Sequence, residues 1–267
     1  MTSSAGRGTA PGPDPLVARL RAAGCVFAEE EADLLRAAAG EGGDLDALTD
    51  RRVAGEPLET VLGWVAFAGR RVAVGPGVFV PRRRTELLAR TAVRLARDSG
   101  PAPVVVELCC GVAAVATVVA QDVPGARVHA ADVDPAAVRW AAVNLAGRGT
   151  VTAGDLFDAL PPDLRGGVDV LVANAPYVPS DAVATMPVES RAYEPRVAVD
   201  GGADGVDVQR RLLAGAEAWV RPGGHAAVET GEQQAPVTAA AFPPGWDVRV
   251  LRDEDVDATV VVGRRPG

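Results

Sequence analysis

From Pro15 to Ala39 the apolar residues return with the period of a helix: Leu16, Val17 and Leu20, then Ala32, Leu34 and Leu35. Gly24-Cys25 divides the run into two short amphipathic helices, and Gly40-Glu41-Gly42-Gly43 ends the second. A third short helix is expected over Leu45–Val53. The apolar run Val61–Phe67 and the segment Val72–Val74 then flank Gly69-Arg70-Arg71, the pattern of a β-hairpin, and Gly75-Pro76-Gly77 adds a second turn. After a helix over Thr85–Arg97, strand and helix patterns alternate. Strands are expected at Val104–Leu108, Arg127–Asp132, Thr150–Ala153, 168–174 and Ala226–Glu229, and helices at Ala113–Gln121, Pro135–Leu145 and Val206–Val220. Trp246–Leu251 and Ala258–Val262 close the chain as an antiparallel pair. Repeated βα units predict an α/β fold: a doubly wound, Rossmann-like sheet with an antiparallel last strand. The division expected is a mobile tail at 1–13, a small helical domain at 14–62, a β-hairpin linker at 63–81 and the large α/β domain at 82–267.

Composition narrows the class. Hydrophobic content of 48% and charged content of 23% belong to a soluble globular protein. No apolar run reaches the length of a membrane span and the N-terminus lacks a signal-peptide core, so a cytoplasmic protein is expected. The formal charge of −8 disfavours broad electrostatic binding to nucleic acid. The three cysteines, Cys25, Cys109 and Cys110, and two histidines, His129 and His225, supply neither a disulfide framework nor a metal-ligand spacing, so no metal is expected. Lys and Ile are both absent. Codon bias in a GC-rich genome explains the two absences together and carries no function.

Candidate chemistry gathers at the ends of the expected strands. Glu107-Leu108-Cys109-Cys110-Gly111-Val112-Ala113 places a glycine turn between a strand and the N-terminus of its helix, where backbone can approach a ligand's anionic end. A tight structural turn is the plain alternative, because the full G-x-G-x-x-G spacing is absent. Cys109-Cys110 reads as buried small residues, since neither a neighbouring base nor a CxxC spacing supports redox work. Asp132 ends the next strand, about twenty residues on, where an acid accepts hydrogen bonds from ribose hydroxyls in nucleoside-binding sheets. Asp134, before Pro135, has a ready role as an N-cap. Asp155-Leu156-Phe157 follows the third strand, where an Asp or a backbone amide meets the edge of a base and an apolar residue covers its face. An ordinary loop acid with Phe157 in the core is the alternative there.

The most specific signal is Asn174-Ala175-Pro176-Tyr177, after a strand apolar on both faces. A side-chain amide oxygen and the carbonyls of a Pro-containing turn can accept both N–H bonds of a planar NH₂ group. Holding both hydrogens localises the nitrogen lone pair towards an electrophile and aligns the attack. Tyr177 can wall the pocket and stack on a planar group. No strong general base is needed, and none stands nearby in the sequence. A plain turn is the competing reading.

Taken in this order, the stretches resemble the protein-glutamine methyltransferases that modify peptide-release factors, the HemK/PrmC family. Arg51-Arg52 with Gly55-Glu56-Pro57-Leu58, and Gly77-Val78-Phe79-Val80-Pro81-Arg82 with Thr85-Glu86, are similar to that family's interdomain motifs. Glu194-Pro195-Arg196-Val197-Ala198-Val199-Asp200-Gly201-Gly202, Gly223-Gly224 and Glu229-Thr230-Gly231 are similar to its later segments. The resemblance implies a class I S-adenosylmethionine-dependent methyltransferase fold, with S-adenosylmethionine as cofactor. It also implies methyl transfer to a glutamine amide nitrogen in the Gly-Gly-Gln loop of a release factor. On matching positions Cys109, Gly111 and Ala113 face the methionine part of the cofactor, Asp132 its ribose, and Asp155 and Leu156 its adenine. Asn174, Ala175, Pro176 and Tyr177 clamp the substrate amide, with Asn174 bordering the cofactor as well, and the helical domain recognises the substrate. A monomer is expected.

The chain departs from the family pattern at three places. Ala175 stands where a second proline is usual, Ala113 where a second glycine is common, and Arg83-Arg84 where Pro and an acid are usual. The Arg82-Arg83-Arg84 run opposes the dipole of the helix it begins, and reads as a solvated face or as a contact for an acidic partner. Two further functions stay open: a nucleic-acid adenine methyltransferase, since the same clamp suits an exocyclic amine, and a non-catalytic binding module, motivated by Ala113 and Ala175.

Overall fold

The computed structural model describes residues 14–267; the tail expected at 1–13 lies outside the described residues. The chain divides into two compact units between Leu62 and Gly63. In the first, helices α1 (Pro15–Ala22), α2 (Ala28–Gly40), α3 (Leu45–Val53) and α4 (Leu58–Leu62) enclose a small core. Leu20, Ala28, Ala32 and Leu35 fill it. Asp14 and Asp44 cap α1 and α3 by accepting backbone N–H groups. Arg52 and Glu31 form a buried, two-pronged ion pair with contacts of 2.6 and 3.2 Å, which ties α3 to α2.

The second unit begins with the hairpin β1 (Trp64–Phe67) and β2 (Arg70–Ala73), followed by α5 (Glu86–Asp98). The alternating part runs β3 (Val104–Leu108), α6 (Ala114–Asp122), β4 (Arg127–Asp132), α7 (Pro135–Leu145), β5 (Gly149–Ala153) and β6 (Val168–Ala173). After it come α8 (Val188–Tyr193), α9 (Asp207–Trp219), β7 (Val220–Glu229), α10 (Ala235–Ala240), β8 (Asp247–Asp253) and β9 (Ala258–Arg264). Among the described residues, seven strands form one sheet in the order β5-β4-β3-β6-β7-β9-β8. Pairings are parallel from β5 through β7, and β9 runs antiparallel to both β7 and β8.

Residues on the central strands alternate between two cores. Val105, Val170, Val172 and Ala227 pack with α5, α6 and α7, while Val106, Leu108, Leu171, Ala173 and Val228 pack with α9 and α10. This two-sided cover explains the unbroken apolar runs of β3 and β6, which are buried along their whole length. The strand order reverses between β3 and β6, so the crevice at their carboxyl ends is where such a sheet receives ligands.

The hairpin belongs to the same compact unit as the sheet, and its Phe67, Val72 and Val74 lie in the first of the two cores. Asn144 of α7 extends the β2 ladder: its Oδ1 accepts from the Ala73 N–H at 2.7 Å and its Nδ2 donates to the Ala73 carbonyl at 2.9 Å. The same Nδ2 donates to the Val112 carbonyl at 2.9 Å, so the hairpin and the glycine turn share one anchor. Several elements differ from expectation. Strand β7 starts at Val220, not Ala226, and its pairing with β6 slips between Val168 and Val170. Pro222-Gly223-Gly224 forms the bulge that the pattern presents as a helix end. Helices α8 and α10, six residues each, are too short to leave a readable period.

Candidate active site

The turn after β3 has three residues in the left-handed region, Cys109 (φ 52°), Gly111 (φ 54°) and Ala113 (φ 58°). Only at Gly111 is that conformation free of a Cβ, and the space where a Cβ would stand is open. Ala113 bears the strain of a left-handed alanine, roughly 1 kcal/mol, but its side chain is fully buried in the core. The methyl group therefore does not crowd the cleft. Cys109 is half-buried, Cys110 is buried, and both are free thiols. Burial pushes both thiols well above the usual thiol range, which disfavours the thiolate form.

Asp132 locks this turn to the end of β4. Its carboxylate accepts the Gly111 N–H at 2.7 Å and the Asp134 N–H at 2.9 Å, while Asp134 caps α7 as expected. No cation pairs with Asp132 among the described residues, and burial raises its pKa. A half-buried carboxylate without a counter-charge, beside an open glycine turn, fits the diol of a ribose. Asp155 places its carboxylate on Arg211 at 2.7 Å on the exposed surface, so Leu156, half-buried with φ 49°, is the residue there that presents an apolar face. Phe157 stacks on Trp219 at 5.5 Å instead of joining the site.

Glu107, beneath the turn, is buried and accepts the Ala116 N–H at 2.7 Å. Burial pushes its carboxyl up to about 8 from the ordinary 4.5. Between those two values the folded chain holds a proton that the unfolded chain has lost. Stability conferred through Glu107 is thus greatest at the acidic end and falls as pH rises through this window, by roughly 1 kcal/mol per pH unit. Asp132, Glu194 and Glu229 are pushed the same way by burial, so the wild-type slope is shared among them. Urea unfolding at several pH values should show a shallower decline for Glu107→Gln than for wild type; equal slopes would contradict the assignment.

At the end of β6, Asn174 is half-buried and Ala175 and Pro176 are buried. Asn174 Nδ2 donates to Thr85 Oγ1 at 3.3 Å, an orientation set by the hydrogen-bond network that leaves Oδ1 as an acceptor. Among the described residues no hydrogen bond ends on the Ala175 carbonyl. Tyr177 donates its hydroxyl to Glu229 Oε1 at 3.5 Å, and the Arg84 guanidinium stands 5.7 Å from the centre of its ring. Glu229 is 1% exposed, its Oε2 has no hydrogen-bond partner among the described residues, and Arg84 Nε lies at ion-pair distance, 3.5 Å.

These contacts correct one expectation and add to another. A buried carboxylate does stand beside the clamp, where none was visible in the sequence. Arg83 is exposed, while Arg82 pairs with buried Glu194 and Arg84 with Glu229 within the chain. Thr85, Glu229 and Arg84 carried no individual role in the sequence reading. Thr85 reaches Asn174 across 89 residues and Tyr177 reaches Glu229 across 52, distances that no local spacing reveals.

The strand order with its antiparallel last strand, and a glycine turn and an acid at adjacent strand ends, define a class I methyltransferase fold. The family profile described as methyltransferase small domain matches residues 71–190. A methyltransferase from Pyrococcus furiosus superposes with a TM-score of 0.53 at 16% identity, covering 75% of this chain and 91% of that one. A release factor glutamine methyltransferase of Moorella thermoacetica is 40% identical over 215 residues, 78% of this chain and 73% of the relative. The chain belongs to the release factor glutamine methyltransferase family. The Streptomyces coelicolor protein of that name is 39% identical over 186 residues, 69% of this chain, and this match spans 66% of the relative, just under two thirds of its length. A 4-amino-L-phenylalanine/4-methylamino-L-phenylalanine methyltransferase of Streptomyces pristinaespiralis is 36% identical over 197 residues, 72% of this chain and 67% of that protein.

Proposed function

We propose that the chain transfers a methyl group from S-adenosylmethionine to the side-chain amide nitrogen of a glutamine in a peptide chain release factor, the glutamine of its Gly-Gly-Gln loop. The observation that carries this reading is the pairing of two acceptors without a partner among the described residues, Asn174 Oδ1 and the Ala175 carbonyl, at the strand end beside the Gly111–Asp132 turn. When bound, S-adenosylmethionine supplies an electrophilic methyl group on a sulfonium. Cys109 and Gly111 would hold its methionine part, with Ala113, buried and with its N–H and carbonyl both paired, shaping the turn beneath them; Asp132 would hold its ribose, and Asp155 and Leu156 border its adenine. Asn174 and the Ala175 carbonyl accept the two amide N–H groups and turn the nitrogen lone pair towards the methyl. Pro176 shapes the turn, and Tyr177 walls the pocket. On this reading the helical unit at 14–62 recognises the substrate, and the enzyme works as a monomer in the cytoplasm.

An arylamine also presents two N–H groups on a planar nitrogen, and the Streptomyces pristinaespiralis relative is named for such a substrate. The test therefore offers methyl-labelled S-adenosylmethionine with either a release factor or free 4-amino-L-phenylalanine. Label in the release factor alone is expected. Label in the amino acid alone would overturn the substrate assignment.

A further inference from the structure

The clamp is a turn, and a turn positions atoms only as well as its peptide planes are held. The peptide unit joining Tyr177 to Val178 is fixed at both poles. Its N–H, on Val178, donates to the Val199 carbonyl at 3.0 Å. Its carbonyl, on Tyr177, accepts from Gln234 Nε2 at 2.9 Å. The second hydrogen of the same Nε2 goes to the Asp204 carbonyl at 3.0 Å. One side-chain amide thus joins the clamp to the returning loop 200–206, from positions 57 and 30 residues away.

That loop lies directly behind the clamp. A Cβ on Gly201 would stand 2.6 Å from the Pro176 carbonyl oxygen, and one on Gly205 would stand 2.4 Å from the Tyr177 carbonyl oxygen. Gly201 N–H donates to the Val178 carbonyl and Ser180 N–H to the Gly202 carbonyl, both at 2.9 Å. We infer that Gln234 is a positioning residue for methyl transfer: its two N–H groups pin the Tyr177 carbonyl to the Asp204 carbonyl and so set the plane of the substrate clamp. The inference rests on the clamp reading above and adds to it the group that holds the clamp. Gln234 needs to reach neither substrate nor cofactor to act this way. Any side chain without those donors leaves the Tyr177 and Asp204 carbonyls without this partner, and the Tyr177–Val178 plane held only at its N–H.

Gln234→Glu tests this with almost no change of shape, because it replaces both N–H groups by oxygen. Gln234→Met keeps the length without donors or charge, and covers the case in which the acidic variant does not fold. Either variant should lower kcat for release-factor methylation about 100-fold, since small misplacements cost that much, while calorimetry finds cofactor affinity unchanged. Amide hydrogen exchange at Val178, Ser180 and Gly201 should speed up about tenfold or more as the local opening free energy falls, with Gly111 unaffected. Wild-type kcat together with wild-type exchange in a folded variant would overturn the inference. If wild type methylates no release factor but exchange rises in the variants, the substrate assignment falls and the positioning role stands.

Discussion

Asn174→Ala is expected to lower kcat by roughly 10²–10³-fold, the usual cost of removing one preorganised group from a transition state. The amide nitrogen of a glutamine is a poor nucleophile until its hydrogens are held, and Asn174 Oδ1 is one of two acceptors available to hold them. Cofactor affinity should change less than kcat, because the Gly111 turn and Asp132 follow strands other than that of Asn174 and are fixed to each other. Stability should fall by no more than about 1 kcal/mol, since the lost hydrogen bond to Thr85 is long, at 3.3 Å, and Asn174 is half-buried. Asn174→Asp sharpens the test. It keeps an acceptor but loses the donor that orients it against Thr85, so turnover should fall between that of wild type and that of the alanine variant. Normal methylation by Asn174→Ala would place the chemistry elsewhere.

Gly205→Ala should damage both folding and catalysis. The residue sits at φ +79°, and an added Cβ would lie 2.3 Å from Gln234 Nε2 and 2.4 Å from the Tyr177 carbonyl oxygen. The methyl group would therefore enter the hydrogen bond that holds the clamp. Gln234 is flexible and can yield, but the Tyr177 backbone can yield only by moving the turn. Backbone strain and overpacking together should cost roughly 2–4 kcal/mol of stability. In the fraction that remains folded, kcat should drop about 100-fold, with cofactor affinity retained. Denaturant unfolding and single-turnover kinetics on the same preparation separate the two effects. A variant as stable and as active as wild type would show that the loop does not back the clamp.

The large domain was legible where burial imposes a period. Strands β3 and β4 and helix α7 lie where the apolar pattern places them, because a two-sided parallel sheet and a proline-started helix leave strong local marks. The bulge in β7 was not legible, because Pro222-Gly223-Gly224 reads as a helix stop whether the next residues pair or not. Within the site, Gly111, Asp132 and Asn174 were visible because each sits at a strand end with its own local signature. Thr85, Glu229 and Gln234 were not, since their roles exist only through contacts made across the fold. Asp155 shows the reverse case: its position beside the cleft was readable, but the pull of Arg211 on its carboxylate was not. Ala113 and Ala175, where the chain departs from the family pattern, are both buried. One methyl group is buried in the core, and the other residue is buried with its carbonyl unengaged among the described residues.

The central claim is that Asn174 and its turn present a glutamine amide to a methyl donor. Peptide-level mass measurement of a release factor, after incubation with S-adenosylmethionine and either wild type or Asn174→Ala, tests it most directly. One added methyl group on the glutamine of the Gly-Gly-Gln peptide is expected with wild type, and none above background with the variant. Methylation at another residue, or equal methylation by both proteins, would contradict it.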